Sequence, residues 1–218
     1  TIPDTVTPTS TASGTTATAA ATSTDLPVTP TSTLTHTPTA TPDQGTELLL
    51  NGGMEANLDG DKLPDSWTGK NLTKDKMKCD TATKVIAHTG QCAFLFKGSP
   101  AENSKLLQIA LIDGLIFNSG DVLNLSVYVK APGASVSGKI KLRVMYANGE
   151  TGKSTAKLET SVDYAEVIGT LELARSDVVR VKFEIDHRSS GGKVYLDDAS
   201  LIWIPTGAAL DRGLIPLP

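Results

Sequence analysis

Two cysteines, three histidines, two adjacent aspartates and a threonine-dense N terminus are the parts of this 218-residue chain with chemistry to offer. Cys79 and Cys92 are the only cysteines. Each sits in a strand-like run, and facing strands would let them pair as a disulfide, with two buried free thiols as the alternative. Zinc does not fit, because no CxxC spacing occurs and His88 is the one histidine nearby. His36 lies in the N-terminal stretch, while His88 and His187 each end a strand-like run beside a turn. No Gly-x-Ser-x-Gly elbow or other nucleophile signature accompanies them. Asp197 and Asp198 are neighbours on a strand, so they point to opposite faces and make a poor general acid and base pair. Residues 57–65 place oxygen-bearing side chains at alternate positions, but Lys62 stands where an EF-hand needs glycine and Thr68 where it needs glutamate, so a turn is expected. Gly52-Gly53 and Gly191-Gly192 also read as turns rather than phosphate cradles. The chain is expected not to be an enzyme.

Residues 1–46 are Thr, Pro, Ser and Ala almost throughout, the composition of an extended, O-glycosylated arm. The candidate sugar carriers are Thr29, Thr31, Thr33, Thr35, Thr37, Thr39 and Thr41, which alternate with proline or small residues. Residues 5–24 are β-branched and poor in proline, suited to pairing with a sheet edge; Pro27, Pro30, Pro38 and Pro42 favour polyproline II further on. Such a segment gains order from a neighbouring subunit or from covalent sugar, which points toward an assembly. The first residue is Thr1 and the first methionine Met54, as in a mature form whose export signal has been removed, so an extracellular or cell-surface location is expected.

Beyond the arm, the elements that must position these groups are short runs of period-two alternation between Gly, Asn, Asp and Ser. The clearest strands are residues 122–129, 139–146, 178–185 and 193–196, with shorter ones at 48–50, 84–87, 92–96, 105–109, 157–161 and 167–173. Nine or ten strands without an amphipathic helix predict an all-β fold, an antiparallel β-sandwich of the jelly-roll type over residues 47–204, carrying an extended N-terminal arm and an apolar tail at 205–218. The formal charge is −4, and setting aside Asp4, Asp25 and Asp43 of the arm leaves 21 acids against 20 bases. That near-neutral body argues against a basic stripe and hence against nucleic acid. The most apolar windows, 106–116 and 196–204, are broken by Gln108, Asp113, Asp197 and Asp198, so no membrane-spanning segment is expected. Sequons occur at Asn71 and Asn124.

Three motifs carry a family resemblance: Leu49-Leu50-Asn51-Gly52-Gly53-Met54-Glu55, Leu63-Pro64-Asp65-Ser66-Trp67, and Val194-Tyr195-Leu196-Asp197-Asp198-Ala199-Ser200-Leu201. In this order they resemble the carbohydrate-binding-module-like jelly rolls of the galactose-binding-like superfamily, over about residues 47–204. The resemblance implies a structural calcium where the first and last strands meet, with Glu55 and Asp197 or Asp198 as ligands; hard carboxylate oxygens are what calcium takes. Sugar binding in such modules depends on exposed rings, and here aromatics are 5% of the chain. Phe94, Phe96, Tyr128, Tyr146, Phe183 and Tyr195 sit in strand alternation and read as packing, and Trp67 matches a structural position, which leaves Tyr164, beside a turn, as the candidate glycan platform.

Two functions follow as expectations. One is an exported structural subunit whose arm docks on identical subunits and builds a glycosylated, helical extracellular filament. The alternative is a non-catalytic carbohydrate-binding module with a glycosylated linker, part of a larger surface protein; a stalk-tip adhesin shares features with both.

Overall fold

Residues 122–130 run Val, Leu, Asn, Leu, Ser, Val, Tyr, Val, Lys, and every second side chain from Leu123 onward is buried. That alternation recurs along the chain and builds the molecule from strands alone. The computed structural model describes residues 45–97, 102–133, 136–188 and 192–206. These belong to a unit spanning residues 41–218, whereas a unit of residues 1–40 lies outside the described residues. Thr29 to Thr41 and the tail beyond Thr206 lie outside them too.

Eleven strands are present among the described residues: β1 (Thr46–Glu47), β2 (Thr68–Lys70), β3 (Lys76–Cys79), β4 (Cys92–Phe96), β5 (Ser104–Ile109), β6 (Val122–Lys130), β7 (Gly138–Tyr146), β8 (Thr151–Lys157), β9 (Ala165–Glu172), β10 (Val178–His187) and β11 (Val194–Ile204). One sheet has the order β3-β4-β11-β6-β9, with β1 also on β11; the second has the order β2-β5-β10-β7-β8. Every pairing is antiparallel. The fold is an all-β antiparallel sandwich of the jelly-roll type. Between the sheets lie Phe94, Phe96, Leu123, Leu125, Ile140 and Phe183, all fully or almost fully buried. Burying each such side chain contributes about 1.5–3 kcal/mol relative to exposure. No helix among the described residues is long and apolar enough to cross a membrane.

The four long strands appear where alternation predicts them, and β11 runs on to Ile204. Strands expected at 48–50, 84–87 and 157–161 are not formed: β1 precedes the first at Thr46–Glu47, residues 81–84 make one isolated bridge, and the strand near 157 precedes it as β8. In β8, Thr151, Lys153, Thr155 and Lys157 face out over Gly152, Ser154 and Ala156, so the inward face has no large apolar residue to signal it. Strand β2, TGK, carries no apolar residue to signal it either, whereas β3, KMKC, is the strand-like run expected around Cys79. All three are edge strands, where lysine also discourages pairing with another chain.

Cys79 and Cys92 occupy opposite positions of the β3-β4 pair and form the disulfide. It closes a loop of 13 residues, and removing it restores that loop's freedom to the unfolded chain. The double replacement Cys79→Ser, Cys92→Ser is expected to cost about 2 kcal/mol, read by chemical denaturation. An unchanged denaturation midpoint would show that the bond does not constrain the unfolded chain.

The opening and closing motifs meet. Asn51, in the left-handed region at φ 50°, donates from Nδ2 to the carbonyls of Ala56 (2.9 Å) and Asp65 (3.1 Å), and its Oδ1 accepts from Ala56 N (3.0 Å). Trp67 donates its indole N–H to the Asn51 carbonyl at 3.0 Å. The Ala199 amide donates to the Gly52 carbonyl, and a Cβ at Gly52 would lie 2.0 Å from the Ala199 oxygen, so glycine is required there. The register shift in β11 between Asp197 and Ser200 is what brings Ala199 to this point.

Candidate functional site

The outer face of the five-stranded sheet is built by register. One row across the strands holds Lys70, Lys105, Asp186, Lys139 and Lys157. The next holds Thr68, Leu107, Glu184, Lys141 and Thr155, and a third holds Ile109, Lys182, Arg143 and Lys153. Eight cations thus share three rows with two carboxylates. Inward partners such as Leu106, Leu142, Phe183 and Ile185 fix the pleat, so a slip of one residue would bury this whole charged set.

Glu184 organises the face. Its side chain is 7% exposed and receives Lys182 (2.7 Å), Lys105 (3.0 Å) and Lys141 (3.1 Å). Lys141 also donates to the buried Asp186. Burial by itself would raise the Glu184 carboxyl, but hydrogen bonds from Lys182, Lys105 and Lys141 outweigh it and bring the group down to about 2. Lys141 is likewise held above its ordinary value: burial opposes its charge, and Asp186 and Glu184 more than compensate. Lys139, Arg143, Lys153 and Thr155 surround a shallow groove of about 260 Å³ over this network. The arrangement offers fixed N–H donors and net positive charge, and no exposed ring.

Glu55, Asp197 and Asp198 are brought together, around the loop of residues 88–92. Glu55 Oε1 accepts from the Gln91 (2.9 Å) and Cys92 (3.0 Å) amides. Asp197, fully buried, accepts from the His88 (2.7 Å), Thr89 (3.3 Å) and Asp198 (2.8 Å) amides. Asp198 meets His88 Nδ1 and the Thr89 hydroxyl, both at 2.7 Å. Gly90, at φ +62°, lies so close to Glu55 that a Cβ would sit 2.3 Å from Oε1. These oxygens are turned onto amide and hydroxyl donors, and among the described residues no group of three or more His, Cys, Asp or Glu side chains converges. Their hydrogen bonds pin the loop of residues 88–92 to the closing strand. Burial raises Asp197 to about 6, against the pull of its backbone donors.

Tyr164 is not the open platform expected. It is half-buried, and its hydroxyl donates to the Ile86 carbonyl at 2.6 Å. Burial and the nearby Asp197 carboxylate push its phenol upward. The Lys130 ammonium stands 5.7 Å from its ring centre, and His88, stacked on Tyr128 at 3.9 Å, tilts against its edge. Of the rings read as packing, Phe94, Phe96, Tyr146, Phe183 and Tyr195 are buried; Tyr128 is half-buried on the outer face. Asn71 is exposed in the turn after β2, whereas Asn124 lies within β6, its Oδ1 accepting from Thr170.

The near-neutral total hides a segregation of charge, so the expectation that no basic stripe exists is overturned. Its signal was in the sequence: Lys139-x-Lys141-x-Arg143 and Lys153-x-Thr155-x-Lys157 repeat at period two, which aligns their side chains on one face.

Fold and face together describe a jelly-roll sandwich with a cationic outer face on its five-stranded sheet. No protein-family model matches the chain, and no curated protein matches it. Among solved structures it is similar to the carbohydrate-binding module TmCBM61 in complex with β-1,4-galactotriose, at 18% identity and a TM-score of 0.50, over 72% of this chain and 98% of that one. It is similar also to Fisc, a Stig cyclase from Fischerella sp. TAU (12%, TM-score 0.54, 74% and 98%). A third is the arabinose-bound α-L-arabinofuranosidase MgGH51 (14%, TM-score 0.52), of which the match covers 27% against 75% of this chain. Likeness at these identities is likeness of fold, and this fold serves both binders and enzymes.

Proposed function

We propose that the chain is a non-catalytic carbohydrate-binding module that lays an acidic polysaccharide across the outer face of its five-stranded sheet. The observation that carries this is the set of three cross-strand rows in which eight cations surround two carboxylates, with Glu184 holding three of the lysines in place. Repeating carboxylates of a uronate polymer match cations spaced about 4.8 Å apart from strand to strand, and donors already fixed lose little freedom on binding. Support also comes from the fold shared with a saccharide-bound module. The absence of stacking rings on this face makes charge and hydrogen bonding, rather than ring stacking, the source of affinity.

In this reading, residues 1–44 are an O-glycosylated tether leading into β1, Asn71 is the better placed sequon, and the module works outside the cell. Filament formation through residues 1–46 would need contacts that lie outside the described residues, and the shared fold favours the binding module over it.

Titration calorimetry of the full chain with polygalacturonate oligosaccharides tests the proposal. Replacing Lys139, Arg143 and Lys153 by glutamine is expected to weaken binding at this face at least tenfold, and added salt to weaken the unsubstituted protein. None of the three joins the Glu184 network, so folding is expected to persist. A flat titration with the unsubstituted protein would overturn the proposal.

A further inference from the structure

A second groove lies on the other sheet. Its floor is Leu95 of β4, Tyr195 of β11 and Ile86, and its volume is about 560 Å³, roughly twice that of the groove over the five-stranded face. Strand β3 forms one side: Lys76 pairs with Leu95 and Lys78 with Ala93, so both lysines share the outer face, and Lys74 continues the alternation. Lys62 is fixed beside them, its carbonyl accepting from the Met77 amide at 2.8 Å. Across the groove, Lys84 stands 5.9 Å over the Tyr195 ring, and Lys97 and Lys193 come from the ends of β4 and β11.

Seven of the chain's fifteen lysines therefore line one groove, and no carboxylate among the described residues does. Among the described residues none of the seven makes an ion pair, in contrast with Lys105, Lys141 and Lys182 around Glu184. Gathering like charges in a concave surface raises the local potential and the concentration of anions in it. Lysine ammoniums act as point charges without the fixed fork of arginine, so they accept sulfate or carboxylate in many orientations.

From this geometry we infer that the lysine groove is a second binding site, for a saccharide polymer bearing repeated anionic groups, carboxylate or sulfate ester. Nucleic acid is disfavoured by the floor: its one ring, Tyr195, is 7% exposed and capped by Lys84, so it gives no stacking surface for bases. Cys79 also lines the groove, and its disulfide belongs to an oxidising compartment, where acidic glycans are the fitting polyanions. Because the groove and the five-stranded face lie on the outer sides of opposite sheets, one module holds two polymer segments and bridges them. The second site stands on the groove alone, whereas the cross-linking rests on the proposed function of the five-stranded face as well.

The test uses the full chain and three probes: a galacturonate hexasaccharide, a sulfated hexasaccharide and a single-stranded DNA oligonucleotide. Calorimetry of the unsubstituted protein is expected to give two sugar sites per chain. The triple variant Lys74→Gln, Lys76→Gln, Lys78→Gln should lose one of them, with at least a tenfold fall in its affinity, and keep the other; comparison of the two sugars shows whether carboxylate or sulfate is preferred. Long polygalacturonate should form light-scattering aggregates with the unsubstituted protein and none with this variant. One sugar site that the triple variant leaves unchanged would overturn the inference. DNA bound more tightly than either sugar, and lost in the same variant, would overturn its saccharide assignment. Loss of all sugar binding in the groove variant, with none in the variant of Lys139, Arg143 and Lys153, would instead remove the proposed function of the five-stranded face and leave the groove as the site.

Discussion

Glu184→Gln is expected to destabilise the protein by about 3 kcal/mol at neutral pH, because it leaves three lysine ammoniums converging on a neutral amide in a nearly buried position. The effect also has a pH signature. Glu184 sits at about 2 when folded against an ordinary 4.5, so the folded state binds fewer protons than the unfolded one between those values. Its contribution is fully present above about pH 4.5 and is lost as pH falls toward 2. Denaturation curves collected from pH 7 to 2 should show stability falling through that window in the unsubstituted protein, with a shallower fall in the variant, which has no carboxylate to titrate. Equal slopes would mean that other acids dominate the acid response. Lys141 and Asp186 share the network, so their substitutions should not add to that of Glu184.

Asp121→Ala is expected to cost about 3 kcal/mol. The side chain is fully buried and accepts four hydrogen bonds: from the Trp203 indole (2.9 Å), the Asn118 amide (2.8 Å), and the amide (2.9 Å) and hydroxyl (2.7 Å) of Thr206. Burial works to raise this carboxyl, but the donors hold it below its ordinary value. Alanine would strand the buried Trp203 N–H without an acceptor and release the amides of Asn118 and Thr206, which lie in exposed residues. Asp121→Asn keeps one acceptor oxygen but turns an NH₂ onto other donors, so about half the loss is expected. Hydrogen exchange provides a local check: Thr206 and the end of β11 should lose protection before the centre of β6. Uniform protection would place the cost elsewhere.

How much of this was legible in the sequence depends on where the apolar residues lie. The strands 122–129, 139–146 and 178–185 alternate large apolar and polar side chains, and such a pattern has one stable placement in a two-sheet sandwich. Strand β8 hides because its inward residues are Gly152, Ser154 and Ala156, small enough to pass beneath the neighbouring strand Leu171 side chain without an apolar signature. The Cys79 and Cys92 pairing was readable as one of two options, and the hairpin register decides it. The carboxylates Glu55, Asp197 and Asp198 meet around one loop, and their partners could not be read from residue type alone: the amides of residues 88–92 that donate to Glu55 and Asp197 belong to a loop whose path depends on the bulge in β11. Tyr164 looked exposed from its turn-like neighbours, but Ile86 reaches it from 78 positions away. Charge was hidden most deeply, since a sum over residues cannot show that the register sets eight cations side by side on one sheet.

Nuclear magnetic resonance titration of the ¹⁵N-labelled full chain with a galacturonate hexasaccharide, at low salt, tests the central claim most directly. The account predicts shifts clustered on Lys139, Lys141 and Arg143 of β7, Lys153 and Thr155 of β8 and Lys182 of β10, separate from any second cluster on the groove residues Lys74, Lys76 and Lys78. Shifts confined to the Tyr164 and His88 surroundings, or none at all, would contradict it.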